Sequence, residues 1–342
     1  MKFGVGLPTC TAGMMYPVPF ADTQDIVRIA VEAEQLGYYE VAGNDHFTTQ
    51  RYVRETFPDP PDFFDPLITY AYCAAKTSVL RLMTGIIVVP MRHPIVLAKQ
   101  LATLDRFSDG RLLVGAGIGP YREELEAAFP DLASARRADL MRESLVALRL
   151  LLEKRRATCE GNYIRFHDVE MYPKPLQQPP PIYSAGNSDG AIQRAAELCE
   201  GWLPAGLSPE AVAAGKEKLE RWAEAAGRDP STIVIAPQLI VCVAETRDKA
   251  RETFQESQLY HHLVSLQSST MKDVAIEEYM TTNLLGTPED ISRQVEALKA
   301  VGVSHLCGLY FVANTVEQML DQIRLFARDV IPNFPDRLAS AA

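Results

Sequence analysis

The sequence predicts an α/β fold whose strands close into a (β/α)8 barrel. Three features lead there: eight short apolar runs spread over the 342 residues, helical patterns between successive runs, and runs without the polar alternation of a half-exposed sheet. Strand–helix–strand units repeated along a chain imply right-handed crossovers and an all-parallel sheet. Eight such strands favour a closed barrel over an open sheet. No stretch reads as a linker, so residues 1–342 are expected to form one domain.

The first strand is "FGVGLP" (3–8). The helix after it, "TQDIVRIAVEAEQLG", places Ile26, Ile29, Ala33 and Leu36 on one face and stops at Gly37, a helix-ending glycine. "YYEVAG" (38–43) and "LRLMTGIIVVP" (80–90) are the second and third strands, separated by the proline-rich loop "FPDPPDFFDP" (57–66). "HPIVLAKQLATLDRFS" carries Leu97, Leu101 and Leu104 at helical spacing, with His93 as helix-start structure, and leads to the fourth strand "RLLVGAGIG" (111–119). After the helix "DLMRESLVALRLLLEK", residues 155–180 exceed a minimal connection and predict a small extended excursion ending in the loop "PKPLQQPPP" (173–181). "PIYSAG" (181–186), "GWLPAG" (201–206), "IVIAPQLIVCVA" (233–244) and "HLCGLYFV" (305–312) complete the eight. Residues 245–286 form a second insertion, expected as a helical flap over one barrel end, with His261 and His262 facing different sides. "GTPEDISRQVEALKAVG" then opens a helix with Thr287 as cap, Pro288 in the first turn and Asp290 answering Thr287.

Composition narrows the function. The chain is 47% apolar and 23% charged, and its net charge of −10 argues against nucleic acid or an anionic membrane as partner. Cys10, Cys73, Cys159, Cys199, Cys242 and Cys307 are scattered, form no CxxC and mostly sit in apolar runs, as buried thiols of a reducing compartment do. The start lacks a secretory leader and no apolar run nears the roughly 20 residues of a membrane span, so a cytoplasmic protein is expected. No HxH, HExxH or Cys/His cluster points to a metal.

The stretch "GRLLVGAGIGP" (110–120) tests the rival dinucleotide fold. Gly115, Gly117 and Gly119 are spaced G-x-G-x-G, Pro120 stands where the third fingerprint glycine belongs, and the preceding strand is the fourth. No acidic residue closes a following strand about 20 residues on. In a barrel the same glycines lie at the C-terminal strand ends, where a flat ligand rests on backbone; tight strand packing explains them equally well. "SAGNSDG" (184–190) joins a strand to a helix opened by Ser188, an ordinary capped turn that also suits a phosphate. Met14, Tyr16 and Phe64 belong to loops rich in Met, Tyr and Phe, and are expected to wall an apolar substrate chamber.

The runs "TGIIVVPMRHPIVLAKQLATLDRFSDGRLLVGAGIG" (84–119), "AEQLGYYEVAGNDHF" (33–47), "PKPLQQPPPIYSAGNSDGAIQRAAELCEGWLP" (173–204) and "LLGTPEDISRQVEALKAVGVSHL" (284–306) together resemble the bacterial-luciferase-like flavin-dependent oxidoreductases. The resemblance implies a barrel that binds FMN or coenzyme F-420 at its strand ends, usually as a dimer. It places Thr84, Gly85 and Ile86 under the ring, often at a bulge with a cis peptide, with Gly115 and Gly117 beside them. It seats the phosphate and tail at Ala185, Gly186, Asn187 and Ser188, with Arg137 as cation. Ile118 stands where bacterial luciferase carries an arginine, so that contact is not expected here. His46 is the implied catalytic residue, with Asp45 orienting it. The activity implied is oxygenation of a small organic substrate by O2 and reduced FMN, the latter supplied by a partner reductase. Hydride transfer with F-420 and a non-catalytic flavin-binding paralogue are the alternatives.

Overall fold

The structure, a computed structural model, describes residues 1–266 and 276–335. Strands β1 (Lys2–Leu7), β2 (Glu40–Gly43), β3 (Arg81–Val88) and β4 (Leu112–Gly117) lie side by side in chain order. Strands β5 (Ala157–Glu160) and β6 (Arg165–Val169) form a separate antiparallel pair, the expected extended excursion, so β4 pairs next with β7 (Ile182–Ala185). The sheet continues through β8 (Gly201–Leu203) to β9 (Val234–Ile235).

Closure depends on one sequence run. The predicted seventh strand is interrupted at Ala236 and Pro237, giving β9 and then β10 (Gln238–Val243). β9 pairs with β8, β10 pairs with β12 (His305–Phe311), and β12 pairs with β1. Across the break, the Ala236 N–H donates to the Trp202 carbonyl at 2.9 Å and the Cys307 N–H to the Pro237 carbonyl at 3.1 Å. Proline has no N–H to donate, and the strand passes it by exposing only its carbonyl to the ladder. A barrel of eight parallel strands results, as the spacing of apolar runs predicts. A short further strand, β11 (Leu284–Gly286), adds to β10 inside the second insertion, where only helix was expected.

The helices α1 (Thr23–Gln35), α3 (Pro66–Lys76), α4 (Pro94–Phe107), α6 (Arg137–Glu153), α7 (Asp189–Leu198), α8 (Pro209–Ala225) and α12 (Pro288–Ala300) lie in the crossovers, and α13 (Val316–Asp329) follows the last strand. Short α2 (Arg51–Thr56) and α5 (Arg122–Ala128) lie in the loops after β2 and β4. The second insertion contributes α9 (Arg247–Gln255), α10 (Gln258–Leu266) and α11 (Ile276–Thr281). Helix α12 starts with the predicted box: the Asp290 N–H donates to Thr287 and the Asp290 carboxylate accepts from the Thr287 N–H. Among the described residues no helix is long and apolar enough to cross a membrane.

Side chains, not a pore, fill the barrel: Ala42, Met83, Leu113, Tyr183, Leu203 and Cys307 meet inside it. A second, larger core lies between sheet and helices, where α4 presents Leu97, Leu101 and Leu104 and α13 presents Met319, Ile323 and Phe326. Each such side chain stabilises the fold by about 1.5–3 kcal/mol. All six cysteines are buried and free, as expected.

Candidate active site

A cavity of about 390 Å3 opens at the C-terminal ends of the barrel strands. Its wall is built from strand ends and the residues just beyond them: Asn44, Asp45 and His46 after β2, Gly85, Ile86 and Val88 on β3, and Gly117 to Pro120 at the end of β4. Ala185 and Gly186, Leu203 and Ala205, and Gln238 supply the wall from β7, β8 and β10, and Arg137 reaches in from the start of α6.

The floor is nearly free of side chains. The Gly85–Ile86 peptide is cis and the β3–β4 register shifts between Thr84 and Ile87, the bulge that the resemblance implies. A Cβ on Gly85 would lie 2.9 Å from Ala42 Cβ and 3.1 Å from Gln238 Nε2, and one on Gly117 would lie 2.1 Å from Ile86 Cδ1. The space beside these two glycines is taken by Ala42, Gln238 and Ile86, so they let those neighbours close on the strand ends, while Ala185, Gly186 and Ala205 leave little side chain on the cavity wall. The cavity fits a planar heterocycle lying on main chain.

At one wall the His46 imidazole is held from below. Its Nδ1 lies 2.7 Å from Glu124 Oε2 and 3.0 Å from the Gln50 amide. Glu124 is 2% exposed and also accepts the backbone N–H groups of Phe47 at 3.1 Å and Thr48 at 3.4 Å. A carboxylate so placed is an acceptor, so Nδ1 carries the proton. The same Gln50 amide nitrogen also donates to the Thr48 carbonyl at 3.5 Å, and its Oε1 has no partner among the described residues. Nε2 has no partner among the described residues and remains the atom of the ring open to the cavity.

Asp45 departs from its expected part. Its carboxylate is gripped by Arg92, Oδ1 at 2.6 Å and Oδ2 at 3.0 Å, and Oδ2 accepts the Val88 N–H at 2.9 Å. The side chain therefore ties the end of β2 to the end of β3, and Glu124 takes the place at His46 that sequence reasoning gave to Asp45.

Of the residues expected at the coenzyme, Gly85, Ile86, Gly117, Arg137, Ala185 and Gly186 come together at the cavity, and the other four do not line it. The Thr84 hydroxyl donates to the Gly115 carbonyl at 2.7 Å, fully buried. A Cβ on Gly115 would lie 2.1 Å from the Thr84 carbonyl oxygen, so this glycine serves close strand packing. Both ends of the Asn187 amide bond the backbone of Ala205, at 2.8 and 3.0 Å. Ser188 caps α7 by accepting the Ala191 N–H at 3.3 Å. Among the described residues Arg137 is the one cation lining the cavity; it donates to the Gly119 carbonyl at 2.7 Å, and partial burial together with nearby Arg122 lowers its pKa.

The substrate residues are also redistributed. Tyr16 is buried in the core, stacked on Phe20 at 4.1 Å with its hydroxyl donating to the Phe311 carbonyl at 3.2 Å. Phe64 lines a different groove, between α1 and α3. Met14 stays near the site, its sulfur 3.6 Å from the hydroxyl of Tyr121, whose ring stands 5.8 Å from His46. Sequence reasoning missed Glu124, Asn44, Leu203, Ala205 and Gln238. The helix-opening "REELEA" after the glycines was the signal for Glu124, since an acidic side chain there lies beside the strand ends.

A barrel with a cavity at its strand ends, lined by one cation and a held imidazole, is the architecture of a luciferase-like flavin or deazaflavin oxidoreductase. The chain belongs to the luciferase-like monooxygenase family, whose model matches residues 1–305. It is 28% identical over 289 residues to an FMNH2-dependent dimethylsulfone monooxygenase of Pseudomonas putida, spanning 78% of this chain and 77% of that one. It is 32% identical over 177 residues to an F-420-dependent glucose-6-phosphate dehydrogenase of Kineococcus radiotolerans, spanning 51% of this chain and 50% of that one. Among solved structures, an F-420-dependent secondary alcohol dehydrogenase in complex with an F-420–acetone adduct shares the fold with a TM-score of 0.80, at 22% identity over 98% of this chain and 99% of that one.

Proposed function

We propose that the chain is a flavin-dependent monooxygenase that uses reduced FMN and O2 to oxygenate a small organic substrate. The observation that carries this reading is the strand-end cavity with the unpaired Nε2 of His46 at its edge. The FMNH2-dependent relative that matches 78% of the chain supports FMN as the coenzyme. Bound there, reduced FMN supplies the electrons with which O2 is activated.

The chain's own residues do the rest. Gly85, Ile86, Gly117, Ala185 and Gly186 hold the ring and its tail on backbone, and Arg137 attracts the phosphate. His46 accepts or returns a proton at Nε2, with Glu124 fixing the tautomer and Asp45 fixing the loop through Arg92. Leu203, Ile118 and Val88 make the cavity apolar and exclude water. A separate reductase supplies the reduced coenzyme. Exposed Ile68 and Tyr72 on α3 and Val96 and Phe107 on α4 give a homodimer an apolar face to cover.

A second reading, hydride transfer with reduced F-420, is favoured by the 32% identity over half the chain to an F-420-dependent dehydrogenase. Anaerobic titration with each reduced coenzyme, followed by O2 and substrate, separates the two. The expected result is tight FMN binding and O2-dependent product. F-420 binding with turnover that ignores O2 establishes the second reading, binding without turnover a non-catalytic paralogue, and binding of neither refutes both.

A further inference from the structure

The wall of the strand-end cavity is divided by polarity. Ile86 and Val88 on β3, Ile118 after β4 and Leu203 on β8 make one arc apolar, with Arg137 standing apart at the start of α6. The arc that runs from β10 through β12 and β1 to the end of β2 carries amides instead, Gln238 on β10 and Asn44 just after β2. A flat ligand with one hydrogen-bonding edge and one apolar edge matches this division with its polar edge toward β10 and β2.

The Asn44 amide is oriented from behind. The Tyr310 hydroxyl donates to Asn44 Oδ1 and stands 3.3 Å from the Gly85 carbonyl. Burial pushes the Tyr310 phenol well above its usual pKa, so the hydroxyl keeps the proton it donates. The backbone carbonyl of Asn44 is held by the Thr9 hydroxyl at 2.9 Å. With Oδ1 engaged, Nδ2 is the donor left over, and it has no partner among the described residues.

Gln238 is seated against the same peptide. Its Nε2 donates to the Gly308 carbonyl at 3.5 Å, and a Cβ on Gly85 or on Gly308 would lie 3.1 or 3.0 Å from that nitrogen. Both glycines thus leave room for the amide. Its Oε1 has no partner among the described residues, and the side chain is half-buried on the cavity wall, not sealed in the core. An open acceptor and an open donor bordering Gly85 complement the N–H and C=O of a cyclic imide, the ring edge that flavins and deazaflavins share.

We infer that Asn44 and Gln238 fix the orientation of the coenzyme ring in the cavity, with Gln238 Oε1 accepting the imide N–H and Asn44 Nδ2 donating to the carbonyl beside it. The inference rests on the proposed function, since it takes the coenzyme to occupy this cavity.

The test titrates the full chain under anaerobic conditions with reduced FMN and with its N3-methyl derivative, which keeps both carbonyls and lacks the imide N–H. The parent protein is expected to bind reduced FMN about tenfold more tightly than the derivative, because methylation leaves Gln238 Oε1 without a donor. Gln238→Leu is expected to weaken FMN about tenfold and to leave the derivative within about twofold, so the preference disappears. Gln238→Glu, which keeps an accepting oxygen, retains it. Asn44→Leu is expected to weaken both ligands about tenfold, since the carbonyl is common to them. The preference is a ratio measured within one protein, so a variant of lowered stability still reports it, and the parent ratio needs no variant at all. Equal affinity of the parent protein for the two ligands, a full preference surviving in Gln238→Leu, or parental affinities in Asn44→Leu overturns the inference. A parent protein that binds no FMN overturns the underlying function instead.

Discussion

Replacing Glu124 separates what this residue does for the fold from what it does for His46. Glu124 accepts three hydrogen bonds, from His46 Nδ1 at 2.7 Å and from the Phe47 and Thr48 N–H groups at 3.1 and 3.4 Å. Glu124→Ala removes all three acceptors and leaves partly buried donors behind. With about 1–3 kcal/mol per orphaned donor, and the long Thr48 contact left out, the loss is about 2–6 kcal/mol. Glu124→Gln keeps an oxygen on the two backbone donors but turns an NH2 toward Nδ1. The ring must then accept at Nδ1 and carry its proton on Nε2, so the atom at the cavity changes from acceptor to donor. Stability falls by only about 1 kcal/mol, the charge-assisted part of one bond, whereas turnover falls about 10²–10⁴-fold. Urea denaturation reads the first quantity, steady-state kinetics the second, and nitrogen NMR of the imidazole the tautomer itself. If Glu124→Gln turns over like the parent, or loses as much stability as Glu124→Ala, Glu124 does not position His46 in this way.

Three further outcomes are expected. Gly115→Ala places a Cβ 2.1 Å from the Thr84 carbonyl, a backbone atom, and lowers stability by about 1–3 kcal/mol in urea, whereas Gly117→Ala meets only the end of Ile86 and lowers coenzyme affinity more than stability. Arg137→Ala weakens FMN about 10–100-fold and leaves riboflavin, which lacks the phosphate, unaffected in the same titration; equal losses would place Arg137 elsewhere than at the phosphate. His262 has its pKa lowered from 6.5 to about 4 in the fold, so the unfolded chain protonates first and the stability this neutral histidine contributes is lost as pH falls from about 6.5 to 4. That loss is at most about 3 kcal/mol, and His262→Phe should flatten the unfolding midpoint across this window.

The barrel was legible because its signals are local. A buried parallel strand needs a short apolar run and its helix needs a 3.6-residue stripe, and both are written within a dozen residues. Thr287 and Asp290 made their predicted box because a capping box involves four consecutive positions. The illegible parts depend on neighbours distant in sequence. The break at Ala236 and Pro237 becomes meaningful only once Trp202 and Cys307 lie on either side of it, and β11 forms only because the end of β10 has a free edge there.

The site divides along the same line, and the division explains the misplacement of Asp45. Glycines announce themselves, since a bare residue in a β-rich run has few other uses, and Gly85 and Gly117 both line the cavity. Even so, Gly115, two residues from Gly117, faces Thr84 instead, because the bulge in β3 shifts the register between the two glycines and brings the Thr84 carbonyl against the first of them. Polar side chains carry no such direction. Asp45 and His46 are adjacent in sequence, but consecutive residues leave a strand end in different directions, so adjacency argued against the contact it was taken to support. The carboxylate that reaches His46 comes from Glu124, 78 residues away, and the one beside it in sequence reaches Arg92, 47 residues away. A run such as "REELEA" reads as a solvated helix start until the barrel brings one of its acids under an imidazole; the pairing is a property of the closed sheet, and only the types of the residues are properties of the sequence.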